Sequence, residues 1–314
     1  MATHKSDGGD AVPARVTRRE FLADSARTAA GASGVGALLA GARTALGSSL
    51  KPHERNERMS KPVLGAQLYT LREFCKTPPE IAETLKKVAG IGYTAVQISG
   101  IGPVEAKNLA RMLEDAGVVA AATHVGWDEL RNDSDRLIAD HKLWKCKHPA
   151  IGGLPGEYYS VEGLKRFLDE VPPVAERLAR EGMDFSYHNH NHEFIRYGRE
   201  TWLAMLYEQA SPKQVKAELD TYWVQAGGGD PAAWVKKCAG REPLIHLKDM
   251  AMGPDRDQRF AEVGEGNLNW PAVLKEAREG GVEWYLVEQD STYGRDPFES
   301  LAISYRNLKA MGLR

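Results

Sequence analysis

Val63-Leu64-Gly65-Ala66-Gln67-Leu68-Tyr69 is followed at once by Thr70-Leu71-Arg72-Glu73-Phe74. The first seven residues form an apolar run with strand character. A helical pattern over 79–89 opens soon after, with proline at its start and Ile81, Leu85 and Val88 on one face. A strand leading to a helix is the first unit of two α/β architectures. A doubly wound sheet that binds a dinucleotide wants glycines at this first junction, because its backbone must approach a pyrophosphate there. The junction 70–74 has no glycine. A closed barrel makes no such demand, so the junction favours the barrel.

The rest of the chain keeps the rhythm. Strand patterns are expected over 94–99, 118–124, 148–152, 184–190, 215–222, 244–248 and 283–288. Helical patterns are expected over 104–116, 127–144, 161–180, 202–209, 230–238, 270–279 and 297–311. Asp230 is a suitable N-cap with Pro231 behind it, and Gly280-Gly281 suits a C-cap. Pro172-Pro173 should break or kink the segment 161–180. A long loop rich in glycine and charge is expected over 249–268. Eight strand-helix units in about 250 residues match the count and length of a parallel (β/α)8 TIM barrel.

The 314 residues carry a net charge of -2, which gives no electrostatic footprint for nucleic acid or an anionic membrane. The three cysteines, Cys75, Cys146 and Cys238, are far apart and read as small buried hydrophobes rather than as a disulfide framework or zinc spacing. Near the start, Val16-Thr17-Arg18-Arg19-Glu20-Phe21-Leu22 resembles a twin-arginine export signal. The Ala/Gly-rich stretch after it is too short and too small-residued for a stable membrane span. The expected organisation is a signal over 1–47, a charged linker over 48–60 and one barrel over 61–314. The expected location is periplasmic or secreted.

The barrel assigns chemistry to the C-terminal ends of its strands. The third strand ends at His124. The fifth ends in Tyr187-His188-Asn189-His190-Asn191-His192-Glu193-Phe194, where strand alternation would put Ser186, His188, His190 and His192 on one face. The sixth carries Glu218-Leu219-Asp220-Thr221-Tyr222-Trp223, the seventh Ile245-His246-Leu247-Lys248-Asp249, and the eighth Val287-Glu288-Gln289-Asp290. Successive strands thus deliver His, Asp, His and Glu to one rim. Two imidazoles with two carboxylates suit Mn2+, Zn2+, Co2+ or Fe2+ better than Ca2+, with Mg2+ also admitted. Taken singly, each residue has a plainer use: Asp220 as a cap, His246 as a hydrogen-bonded core histidine, Glu288 as partner of Lys248 or Arg72.

Tyr-His-Asn-His-x-x-Glu-Phe, Glu-Leu-Asp-Thr-Tyr-Trp, His-Leu-Lys-Asp-Met, Val-Gly-Glu-Gly and Val-Glu-Gln-Asp, in this order, resemble the sugar phosphate isomerase/epimerase family. That family belongs to the xylose isomerase-like barrel superfamily. The resemblance runs from about Pro62 to Leu313. It implies a divalent ion held by His188, Asp220, His246 and Glu288. Ketose epimerases of the superfamily have a glutamate where His188 stands, and Glu193 is the nearest carboxylate to replace it. The implied chemistry is proton abstraction beside a sugar carbonyl, giving isomerisation or epimerisation through an enediolate. Loss of a β-substituent would instead make the protein a lyase for a 3-keto-glycoside or an inosose-like substrate. Candidate catalytic groups are Glu288, Glu193 and His190, with Lys248 facing the oxyanion. Gln67, Tyr69, His124, Tyr222, Trp223 and Arg259 are expected substrate contacts. The substrate is expected to be a non-phosphorylated sugar or keto-sugar, and a homo-oligomer is left open.

Overall fold

Strands buried on both faces need a partner on each edge and a layer of helices outside. β1 (Val63–Gln67) and β2 (Ala95–Ile98) are of this kind, with nearly every residue out of solvent. The computed structural model describes residues 62–313. The expected signal and linker lie outside the described residues.

A tight 3-10 turn over Leu68–Phe74 follows β1, and then come α1 (Pro78–Ile91), β2 and α2 (Ala106–Ala116). Next are β3 (Val119–His124), α3 (Trp127–Asn132), α4 (Ser134–Trp144), β4 (Pro149–Ile151) and α5 (Val161–Ala179). The second half contains β5 (Ser186–His188), β6 (Arg196–Tyr197), β7 (Glu200–Thr201), α6 (Trp202–Gln209), β8 (Lys216–Asp220), α7 (Thr221–Ala226) and α8 (Pro231–Lys237). It ends with β9 (Leu244–Leu247), β10 (Asp249–Met252), β11 (Gln258–Ala261), α9 (Trp270–Gly280), β12 (Trp284–Val287) and α10 (Pro297–Ala310). The barrel closes in the order β1-β2-β3-β4-β5-β8-β9-β12, with β12 paired back to β1 in parallel. This is the expected (β/α)8 TIM barrel. Among the described residues no helix is long and apolar enough to cross a membrane.

Three local expectations are corrected. The pattern over 127–144 is two helices, with Asp133 ending the first and heading the second. The helix α5 runs continuously through Pro172 and Pro173. Both prolines lie off its buried stripe of Val171, Val174, Ala175 and Leu178, so the carbonyls of Leu168 and Asp169 that lose their helical donors are on the less buried side. Strand β5 ends at His188 instead of continuing to His190, so strand alternation does not set the faces of His190 and His192.

The segment expected as loop over 249–268 contains the antiparallel hairpin β10–β11. One carboxylate anchors it. Buried Asp249 accepts hydrogen bonds from the backbone N–H of Met250 at 2.8 Å, Gly264 at 2.9 Å, Gly266 at 3.1 Å and Leu268 at 3.2 Å, and from Trp270 Nε1 at 2.6 Å. The Val263-Gly264-Glu265-Gly266 run is therefore a nest for an internal anion. A Cβ on Gly266 would stand 2.4 Å from Asp249 Oδ1, so the close approach requires glycine. Asp249→Ala would remove the acceptor of five donors, of which Leu268 N and Trp270 Nε1 are buried. We expect it to cost about 2–4 kcal/mol and lower the melting temperature by roughly 5–15 °C. An unchanged thermal melt would contradict this anchoring role.

Candidate metal centre

Parallel pairing sets the heights of the inward-facing side chains. Asp220 is level with His246, and Glu218, two residues earlier on β8, is level with His188 and Leu244. Residues two apart share a strand face, so β8 sends both of its carboxylates inward. The floor beneath is apolar and small, with Ala95, Ala122, Leu244 and Leu286 packed together. His246 stands above this floor between two carboxylate layers. Its Nε2 lies 2.6 Å from Glu218 Oε1 and 2.6 Å from Gln97 Oε1, and its Nδ1 lies 2.9 Å from Glu288 Oε2.

This arrangement decides the protonation states. Burial opposes charge on His246, but Glu218 and Glu288 outweigh it and hold the imidazolium up to about 10. Burial likewise opposes ionisation of Glu218, and His246 followed by His124 overcome it, leaving the carboxyl at about 2. Glu288 is also held ionised against burial, chiefly by Lys248 and His246. Asp220 goes the other way. Burial and the charge of Glu288 push it up to about 7, even though Lys248 pulls against them.

His188, Asp220, His246 and Glu288 present ligand atoms that all lie within 4.8 Å of one another. His188 Nδ1 and Asp220 Oδ2 are buried and have no hydrogen-bond partner among the described residues. Burial holds His188 neutral, the form that ligates a metal. A second set, His124, His188, Glu218 and His246, meets the same distance limit. The first set fits better. Its members end four consecutive barrel strands, whereas Glu218 lies two residues earlier on β8 and already accepts from Gln97 Nε2 at 2.6 Å. Glu218 is placed to take the outward N–H of a ligating histidine and fix its tautomer. The plainer uses also hold: Asp220 Oδ1 caps α7 by accepting from Trp223 N at 2.9 Å, and Glu288 is bonded to Lys248. One side chain does both.

The Lys248 ammonium, 1% exposed, lies 3.1 Å from Glu288, 3.4 Å from Asp220 and 2.7 Å from Asp290. The rings of Trp223 and Phe260 flank it at 5.3 and 5.2 Å. Burial disfavours its charge, and the three carboxylates more than restore it. One lysine shared by three carboxylates leaves local negative charge that a divalent cation would satisfy.

The turn after β5 separates the histidines. Glu193 is fully buried and faces away from His188's cluster. It accepts from Tyr187 Oη at 2.8 Å and from His190 N at 2.9 Å, and burial raises its carboxyl to about 7. Geometry thus seats His188 among the ligand atoms and gives Glu193 the task of closing the turn. His190 stacks on His192 at 5.5 Å and meets His188 edge-on at 5.0 Å. Burial holds His190 neutral, with its pKa down to about 3. A third cluster of ligand-type atoms, His190, His192 and Glu193, lies within this same turn.

The pocket over the centre encloses about 270 Å3 and is walled by Tyr69, His124, His188, His190, Lys248 and Glu288, with Ser99, Gly152 and Asp290 completing it. Among the expected substrate contacts, Tyr69 and His124 are on the wall. Gln67 is buried behind them, its Oε1 accepting from Tyr69 N at 2.7 Å and its Nε2 standing 3.4 Å from His124 Nδ1. Tyr222 and Trp223 belong to α7 rather than to a strand, and pack on Phe260 and His190. Arg259 is outside the pocket. It pairs with Asp257 at 2.8 Å and Asp255 at 3.2 Å, and lies over the Tyr293 ring. Gln97, Glu218 and Asp290 were not assigned from sequence. The period-two rule signalled Glu218, two residues before Asp220.

No curated protein matches the sequence. Solved structures do resemble the fold. A sugar phosphate isomerase/epimerase from Parabacteroides distasonis superimposes with a TM-score of 0.67 at 24% identity, covering 80% of this chain and 98% of that one. An L-ribulose 3-epimerase gives 0.61 at 17% identity, covering 80% and 94%. A probable 3-DHS dehydratase from Bacillus anthracis gives 0.60 at 14% identity, covering 79% and 98%. At these identities the likeness concerns the barrel. The profile of the xylose isomerase-like TIM barrel family, however, matches residues 85–310, well over half of the sequence. It spans every strand from β2 to β12 and all four candidate ligands, and on that match the chain belongs to the xylose isomerase-like TIM barrel family.

Proposed function

We propose that the protein is a divalent-metal-dependent isomerase or epimerase of a non-phosphorylated sugar or keto-sugar. The observation that carries this reading is the convergence of His188, Asp220, His246 and Glu288, two of them with a buried ligand atom that makes no hydrogen bond among the described residues. Similarity in fold to structures described as sugar isomerases, epimerases and a dehydratase supports the same class. A non-phosphorylated substrate fits the loop after β9, where the amides of Gly264 and Gly266 are already bonded to Asp249. The export signal read over 16–22 points the same way, to an enzyme of the periplasm or the exterior.

Bound here, a divalent ion supplies Lewis-acid polarisation of a sugar carbonyl and its neighbouring hydroxyl. Glu288 is the base. Its contacts with His246 and Lys248 both fall on Oε2, so Oε1 remains for the ion or the substrate proton. Neutral His190, also on the wall, is placed to hold a substrate hydroxyl. Lys248 faces the oxyanion as negative charge develops. Gln97 and Glu218 orient His246 from below.

The lyase alternative also has support. Glu193, the expected second proton-transfer carboxylate, is turned into the core. One base, with a departing β-substituent, suffices for elimination. Metal-loaded protein incubated with 3-keto-glucose and a 3-keto-glucoside separates the two, since only a lyase releases the aglycone.

His246→Ala combined with Glu288→Ala should abolish metal content and turnover together. Full metal occupancy in that double variant, measured by elemental analysis, would sink the site. Proton competition gives an independent check. His246 must lose a proton to ligate, so Mn2+ uptake near pH 7 should release about one proton from it and a fraction more from Asp220. Apparent affinity should therefore rise as pH increases from about 6 to about 9. Calorimetry in buffers of different ionisation enthalpy reads the proton count, and pH-independent binding would contradict the ligand set.

A further inference from the structure

A second depression lies beside the pocket of the metal centre. Each encloses about 270 Å3, and Asp290 belongs to both walls, so the two adjoin. The second is lined by Thr70, Arg72, Phe74, Gln289, Tyr293 and Pro297, among others. Its one guanidinium is already engaged. Arg72 donates to the carbonyls of Tyr69 at 2.8 Å and Asp290 at 3.0 Å, and its Nε is 4.0 Å from Glu73. Among the described residues no free cation of the lining remains to recognise a phosphate or carboxylate, and its carboxylates Glu73 and Asp290 are paired with Lys76 and Lys248, which leaves an uncharged ligand.

Two aromatic rings of this depression face solvent: Phe74 is 42% and Tyr293 50% exposed. Tyr69, on the wall of the adjoining pocket, is 39% exposed. Tyr293 has a φ of 50°, in the left-handed region that side-chain-bearing residues rarely adopt. The strained residue keeps its ring half exposed, and such strain concentrates at ligand clamps. The ring is also secured. Its hydroxyl accepts from Phe260 N at 3.1 Å, and the Arg259 guanidinium lies 5.1 Å from its centre. Arg259, expected from sequence to touch substrate, thus reaches this depression through Tyr293.

We propose that the depression is a second ring subsite. The keto-sugar occupies the pocket of the metal centre, and an uncharged second ring, sugar or aryl, stacks on Tyr293 and Phe74, joined to the first by a glycosidic bond passing Asp290. The substrates are then glycosides rather than free monosaccharides. This rests on the sugar reading of the first pocket.

Calorimetric titration of the Mn2+-loaded protein with methyl and p-nitrophenyl glucosides tests it. Neither probe has a carbonyl, so neither reacts. The p-nitrophenyl glucoside should bind about tenfold more tightly, the scale of one good aromatic stack. Tyr293→Gly removes the ring at a position whose backbone suits glycine, and should erase that advantage while leaving the methyl glucoside and the metal content unchanged. Phe74→Ala should reduce it. Equal affinities in the wild type, or an advantage that survives both substitutions, would overturn the subsite and leave the sugar reading standing. Failure of both glucosides to bind metal-loaded protein would overturn the two together.

Discussion

A buried imidazole between carboxylates at two heights organises this barrel. Glu218 holds one nitrogen of His246 from below and Glu288 holds the other from above. In a low-dielectric interior such a group must be paired, and its partners must be paired in turn. Gln97 bonds to Glu218 beneath the ring, and Lys248 bridges Glu288, Asp220 and Asp290 above it. The network fixes which nitrogen of His246 faces Glu218 and Gln97 and which faces Glu288 among the candidate ligand atoms.

The same logic separates positioning residues from those free to react. Side chains whose polar atoms are all used, such as Asp249 and Glu193, hold backbone: the first anchors the hairpin after β9 and the second closes the turn after β5. His188 and Asp220, each with a buried atom outside any hydrogen bond among the described residues, belong to the candidate centre. The four candidate ligand atoms need no long excursions because parallel register already sets Asp220 level with His246, so adjacent strand ends suffice.

Much of this was legible in the sequence. The glycine-free junction after β1 and the eight alternating periodicities specify a closed barrel, and the polar residue ending each of the last four barrel strands falls in the centre. What escaped has a physical explanation in each case. Strand alternation predicted one face for His188, His190 and His192, but β5 stops at His188 because Glu193 draws the chain into a turn, a contact no period records. Pro172 and Pro173 sit on the less buried side of α5, and a linear pattern does not show that lost bonds there can be met by water. Tyr222 and Trp223 continue an apolar run by composition, yet Asp220 caps a helix at that point. Arg259 was placed at the substrate by its loop, whereas its charge is taken by Asp255 and Asp257 in the same hairpin.

The central claim concerns which side of His246 is the working side. Anomalous diffraction from crystals grown with Mn2+ measures it directly. The account predicts one strong peak bounded by His188, Asp220, His246 Nδ1 and Glu288, with His246 Nε2 still bonded to Glu218 or Gln97. A peak on the Glu218 and His124 side, or no peak at full Mn2+ saturation, would contradict it.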